Sequence, residues 1–177
     1  MSLLVRDSTE ADLPAMLAIY NQVIADTTAV FSETPLTLEN RRAWRVARLA
    51  AGHPVLVAEA DGEVVGLGAL GPFRLGDGYR FAVEDSVHVR ADRRSSGVGS
   101  ALLRALIARA EAAGRRDMIA GVDAANTGSI RLHERLGFAR AALMPDLAEK
   151  FGRPLDLLFL RKRLGGGGPD PADKRPA

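Results

Sequence analysis

The chain has 177 residues, 47% of them hydrophobic and 26% charged, with a formal net charge of +2 and no cysteine. Such a composition belongs to one globular domain long enough to bury a core, and it excludes a disordered or fibrous chain. Without a thiol there is no disulfide, no thiolate metal site and no covalent mechanism through cysteine, as suits a reducing cytoplasm.

In chain order, LLVR (3–6) reads as a short strand, and Thr9 with Asp12 reads as the capping box of a helix. Leu13, Met16, Leu17, Tyr20, Val23 and Ile24 then recur at helical spacing along one apolar face. DTTAVFSETPLT is a loop, and a second helix runs from Leu38 to Ala51 with the sole tryptophan, Trp44. PVLVAEA and EVVGLGALGPF flank Asp61-Gly62 as a hairpin. After a turn at GDG (76–78), YRFAVEDSVHV (79–89) reads as a long strand.

A helix over 97–113 follows, then a central strand RDMIAGV (116–122). A short helix over 126–136 is capped by Asn126 or Thr127 and ended by Gly137. Residues 138–144 and 154–161 read as a last strand pair. The segment GGGGPDPADKRPA (165–177) is too polar and glycine-rich to order itself, leaving one domain over 1–164. This order of elements predicts an α/β mixed sheet with helices against it.

All 24 basic residues except Lys150, Lys162 and Lys174 are arginine, a side chain suited to bidentate capture of carboxylate or phosphate. They are spread along the chain, which does not indicate a nucleic-acid partner. No run approaches a membrane span, and MSLLVRDSTEAD lacks the apolar stretch of a secretion signal. His53, His88 and His133 have no metal-site spacing, so no metal is expected.

The stretch 93-RRSSGVGSALLRALIARAEAAG-114 puts two glycines at the start of a long helix. A helix N-terminus offers unpaired N–H donors and partial positive charge, so the turn can hold an anion such as phosphate. A P-loop is excluded because no lysine closes the turn, and a dinucleotide fingerprint because Leu102 stands where a small residue is needed. A plain glycine-bearing helix start with no ligand stays open on these residues alone.

R-S-S-G-V-G (94–99), directly after a long strand, resembles the Q/R-x-x-G-x-G/A element of the GNAT acetyltransferases. About thirty residues later 126-NTGSIRLHERLGF-138 resembles that superfamily's N-x-x-S/A-x-x-L-Y-x-x-x-G-F element. The segments 20-YNQVIADTTAVFSETPLTLENRRAW-44, 79-YRFAVEDSVHV-89 and 150-KFGRPLDLLFL-160 resemble the phosphinothricin and methionine sulfoximine N-acetyltransferases. The likeness covers roughly residues 2–163. It implies the GNAT fold, a central, mostly antiparallel sheet flanked by helices, and acetyl-CoA as co-substrate.

The resemblance implies that Arg94, Ser95, Ser96, Gly97, Val98, Gly99 and Ser100 grip the pyrophosphate, while Val87, His88 and Val89 pair with the pantetheine arm. A main-chain N–H in that last run would stabilise the oxyanion. Asn126 would offer its amide to pantetheine or cap its helix, or both. Glu84 is the candidate base, with an ion pair to an arginine as the plain alternative. His133 stands where many members carry the tyrosine that protonates the departing thiolate; it could also assist Glu84, or merely bond a helix neighbour.

For the acceptor, the family pattern implies a pocket at Arg74, Leu75, Gly76, Glu84, Asp85 and Ser86, with Tyr79 aligned to a pocket tyrosine; Phe31, in the loop between the first two helices, could contact the acceptor side chain. Arg74 and Arg80 could clamp a carboxylate or be solvated surface charges. Close relatives often read W-R-P-F where this chain has 73-FRLG-76, and a basic residue where Ser95 and Ser96 stand. The family's acceptor preference therefore does not carry over intact.

The expectation is direct transfer, in a ternary complex, to the α-amino group of a small L-amino acid or analogue: phosphinothricin, methionine sulfoximine or methionine sulfone. Family members are detoxifiers and usually homodimers. Two rivals remain: acetylation of a protein or peptide N-terminus, and a non-catalytic CoA-binding module.

Overall fold

A computed structural model describes residues 3–165. The expected disordered tail lies, but for Gly165, outside the described residues. Strand β1 (Leu3–Asp7) leads through a 3₁₀ turn (Glu10–Asp12) into helix α1 (Leu13–Asp26). The Asp12 carboxylate accepts from Thr9 N at 2.6 Å and Thr9 Oγ1 at 2.9 Å, so the expected capping box forms one turn ahead of the helix proper. Arg6 bonds the same carboxylate and also Glu59, tying the helix start to the sheet.

Helix α2 (Leu38–Ala50) is capped by Thr37 and Asn40. Strands β2 (Val55–Ala60) and β3 (Glu63–Pro72) form the expected hairpin. Asp61 and Gly62 take φ of 53° and 82°, as a two-residue type I′ turn requires. Strand β4 (Ala82–Val89), helix α3 (Val98–Ala112), strand β5 (Asp117–Asp123) and helix α4 (Thr127–Arg135) follow, then strands β6 (Ala139–Lys150) and β7 (Arg153–Arg163).

The seven strands form one sheet in the order β1-β2-β3-β4-β5-β7-β6, antiparallel throughout except for β4 beside β5. One face packs on α3: Leu102, Leu103 and Leu106 meet Leu56, Val83, Met118 and Leu160. The other packs on α1, where Leu13, Met16 and Ile19 meet Val55, Val57 and Leu67. The mixed, mostly antiparallel sheet flanked by helices is the architecture expected from the sequence.

Two boundaries differ. The strand expected from Tyr79 starts at Ala82, because the chain first makes a 3₁₀ turn over Asp77–Tyr79. The β-rich composition of YRF masks that turn. The last strand pair is longer than 138–144 and 154–161, running over Ala139–Lys150 and Arg153–Arg163. Pro145 stands directly after the expected end at residue 144. Strand β6 is an edge strand, where a proline costs no ladder hydrogen bond, and its register shifts between Met144 and Ala148 to absorb it.

Candidate active site

Strands β4 and β5 pair only at Ala82↔Asp117, Val83↔Met118 and Glu84↔Ile119. Past Glu84 they part, so the β5-facing edge of β4 has no strand partner. A cavity of about 930 Å³ fills the gap. Its walls come from β4, β5, the turn before α3, the start of α4, the end of α1 and the tip joining β6 to β7. The Thr28 hydroxyl donates to the Asp123 carboxylate, holding the loop after α1 against the end of β5.

At one end lies the glycine turn. Gly97 is the cap of α3 with φ of 89°, and a Cβ there would meet nothing within 4 Å, so the space above its backbone is open. The first N–H groups of α3 have no acceptor within the helix. Arg94, Ser95, Gly97, Gly99 and Ser100 line the cavity, as do Val87, His88, Val89 and Asn126. Two expected members do not. Val98 is 1% exposed in the core, and the Ser96 hydroxyl turns back to donate to Arg93 O at 2.5 Å. Asn126 Oδ1 accepts from Ser129 N at 3.1 Å, so it caps α4 while lining the cavity. A diphosphate fits this cradle of open backbone beside Arg94.

Strand alternation divides the catalytic candidates. Val83, Val87 and Val89 face α3, whereas His88 faces α1, its ring edge-on to Tyr20 with centroids 5.1 Å apart. Burial pushes the His88 pKa down to about 4, with Arg41 acting the same way, so this imidazole is neutral. Glu84 shares the His88 face. It lies where the strands part, and its Oε1 lies 3.2 Å from the position a Cβ on Gly121 would take. Burial raises the Glu84 pKa; Arg74 opposes the rise, Asp85 adds to it and Arg48 opposes it.

Asp85 points to the opposite face and meets His133 there. His133 Nε2 is 3.1 Å from Asp85 Oδ1, and Nδ1 is 2.8 Å from Ser129 O. A carbonyl can only accept, so Nδ1 carries a proton; the carboxylate draws a second onto Nε2. Burial works against the imidazolium, but the hydrogen bond and charge of Asp85, with the Ser129 carbonyl, outweigh it and raise the His133 pKa. The expected help from His133 to Glu84 is therefore corrected. The two stand on opposite faces of β4, and His133 answers to Asp85. Asp85 in turn holds a histidine from the α4 side instead of sharing Glu84's face.

Asp85 and Ser86 line the cavity; Glu84, Phe31, Arg74, Leu75, Gly76, Tyr79 and Arg80 do not, Glu84 lying just before the point where it opens. Arg74 donates to Phe73 O at 3.1 Å and stacks on the Phe73 ring, and Arg80 donates to Asp77 O at 2.8 Å. Leu75 is 90% exposed. The sequence reading missed Arg135 and Arg153, both on the cavity wall. Gly128, Leu132 and Arg135 recur at helical spacing on one face of α4, a signal that was available.

It also missed Lys150, 1% exposed at the end of β6. Its ammonium donates to Ile24 O and Thr27 O at 2.6 Å each and to Val30 O at 2.8 Å. Burial lowers its pKa, while three carbonyls match the three N–H groups of the charged form. Lys150 thus closes the C-terminus of α1 and fixes the loop that walls the cavity.

A family model described as the acetyltransferase (GNAT) family matches residues 16–138. The chain is 49% identical over 165 residues to an L-methionine sulfoximine/L-methionine sulfone acetyltransferase of Pseudomonas paraeruginosa, spanning 93% of this chain and 96% of that one. Two solved structures are also similar. One is a ribosomal-protein-alanine N-acetyltransferase from Brucella melitensis, at 46% identity and a TM-score of 0.89, covering 91% of this chain and 99% of that one. The other is a phosphinothricin acetyltransferase from Sinorhizobium meliloti in complex with acetyl-CoA, at 36% identity and a TM-score of 0.92, covering 95% and 91%.

Proposed function

The chain belongs to the acetyltransferase (GNAT) family, and we propose that it moves the acetyl group of acetyl-CoA directly onto the α-amino group of a small L-amino acid. The acceptors are methionine sulfone, methionine sulfoximine and phosphinothricin, the compounds named for its relatives. One observation carries the reading: a half-buried carboxyl of raised pKa, Glu84, stands where β4 and β5 part, at the head of an unpaired strand edge that leads to the glycine turn.

The turn at Arg94–Ser100 and the free edge of β4 at Val87–Val89 hold and orient the thioester. Glu84 takes the ammonium proton, directly or through a water, so that the amine lone pair can attack the carbonyl carbon. A main-chain N–H of the free edge donates to the oxygen as it gains charge. The C–S bond breaks, the attacking nitrogen gives up its second proton, and the departing thiolate takes one up through water in the cavity beside the His133–Asp85 pair, since both His133 N–H groups are already spent on Ser129 O and Asp85. The acceptor lies on the face of Glu84 and Ser86.

Strand β6 supports a homodimer: Leu143, Met144, Leu147 and the adjoining Phe151 are 43–53% exposed on an edge. A cytoplasmic, detoxifying role belongs to the same proposal and suits a chain without cysteine. One observation favours a second reading, acetylation of a protein N-terminus: the similarity to the Brucella structure. Thiol release with methionine sulfone, methionine sulfoximine and phosphinothricin, run beside a peptide with N-terminal alanine, decides between them. The proposal expects turnover of free amino acids at least tenfold above the peptide; the reverse order would overturn it.

A further inference from the structure

The face of β4 that carries Glu84 holds an arginine that neither the motifs nor the relatives' names single out. Arg48 projects from α2 onto β3 and lies on Gly71: a Cβ there would fall inside its guanidinium. Gly71 is no turn glycine, so its missing side chain is needed for this close approach and not for backbone shape. Gly71 is the cross-strand partner of Glu84.

Side chains of directly paired residues rise from the same face about 5 Å apart. The Arg48 guanidinium therefore occupies the place of a cross-strand neighbour to the Glu84 carboxyl. Glu84 senses the charge of both Arg74 and Arg48. Arg74 and Arg80, however, are exposed and spend N–H groups on nearby carbonyls. Arg48 is half-buried, its Cζ 5.7 Å from the Trp44 ring centroid, and among the described residues it forms no salt bridge.

An α-amino acid carries its ammonium and carboxylate on one carbon. A proton acceptor and an unpaired fork of N–H donors side by side on one sheet face match that pair of charges. We propose that Arg48 binds the α-carboxylate of the acceptor and so turns its amino group toward Glu84. This rests on the reading that the acceptor is a free amino acid.

The test compares methionine sulfone with its carboxamide, which keeps the amine and side chain but loses the anion. Arg48→Gln is expected to raise KM for the acid about ten- to hundredfold, as for a lost charge-assisted pair, and KM for the carboxamide less than twofold. KM for acetyl-CoA stays unchanged. Gly71→Ala makes a second variant. Its Cβ pushes aside only the far end of a flexible side chain, so the fold is kept while the guanidinium is displaced, and the same selective loss is expected. The two changes together are no worse than either alone.

If Arg48→Gln keeps the wild-type preference for acid over carboxamide, or if Arg74→Gln alone abolishes it, the assignment to Arg48 fails and the transferase reading stands. If the wild-type enzyme turns over neither compound, the reading beneath it fails as well.

Discussion

Glu84 and His133 carry opposite signatures in pH. Glu84 is held with a raised pKa by burial, so its stability contribution is full when it is protonated and is lost as pH rises through the raised value. Above the ordinary carboxylate range the fold therefore bears the cost of that raised pKa. Glu84→Gln removes that cost: its Tm is expected to exceed wild type at pH 8, with the gap closing toward pH 4, while kcat falls about 10²- to 10⁴-fold. Equal Tm at both pH values, or unchanged kcat, would contradict the role of base. The raised pKa of His133 stabilises the fold below its ordinary value of about 6.5, and the gain is lost as pH climbs through the raised one. His133→Ala leaves the Asp85 carboxylate buried alone and is expected to cost about 3–5 kcal/mol in denaturant melts. Glu84 was legible in the sequence as a carboxylate on the strand before the glycine turn. Its separation from His133 was not, because the face each side chain takes depends on a register and a helix 48 residues away.

The elements around the cleft differ in how openly the chain declares them. The β2–β3 hairpin and α3 could be read directly, since Asp-Gly and a long apolar stripe are local signals. The cavity wall at the end of α1 could not. It depends on Lys150, which reads as a solvated charge until the β6–β7 hairpin carries it 123 residues back to Thr27. Lys150→Met strips three carbonyls of their donor and is expected to cost about 2–4 kcal/mol, with faster proteolysis of the 26–37 loop. A stable variant with an intact loop would refute that role. The glycine turn has an internal control. Gly52 and Gly97 both have left-handed backbone, φ 73° and 89°, with open space around them. Alanine at either should destabilise by about 1–2 kcal/mol, but only Gly97→Ala should raise KM for acetyl-CoA, roughly tenfold. An equal KM in both variants would mean that the turn is not where the cofactor's phosphates sit.

At the scale of the whole molecule the sheet is one surface with two jobs. Its α3 face holds Asp85 and His133, its α1 face presents Glu84 and Arg48, and the parted strands are the passage between them. The same sheet ends in β6, whose exposed Leu143 and Leu147 should mark the contact between two copies. Leu143→Lys with Leu147→Glu is expected to convert a dimer to a monomer in sedimentation. Direct transfer across the parted strands is the claim on which all else depends. The measurement that bears on it most directly varies acetyl-CoA and methionine sulfone together and follows thiol release. Intersecting double-reciprocal lines, one thiol per N-acetylated amine and no release before the acceptor is added are the expected result. Parallel lines, or release that ignores the acceptor, would contradict it.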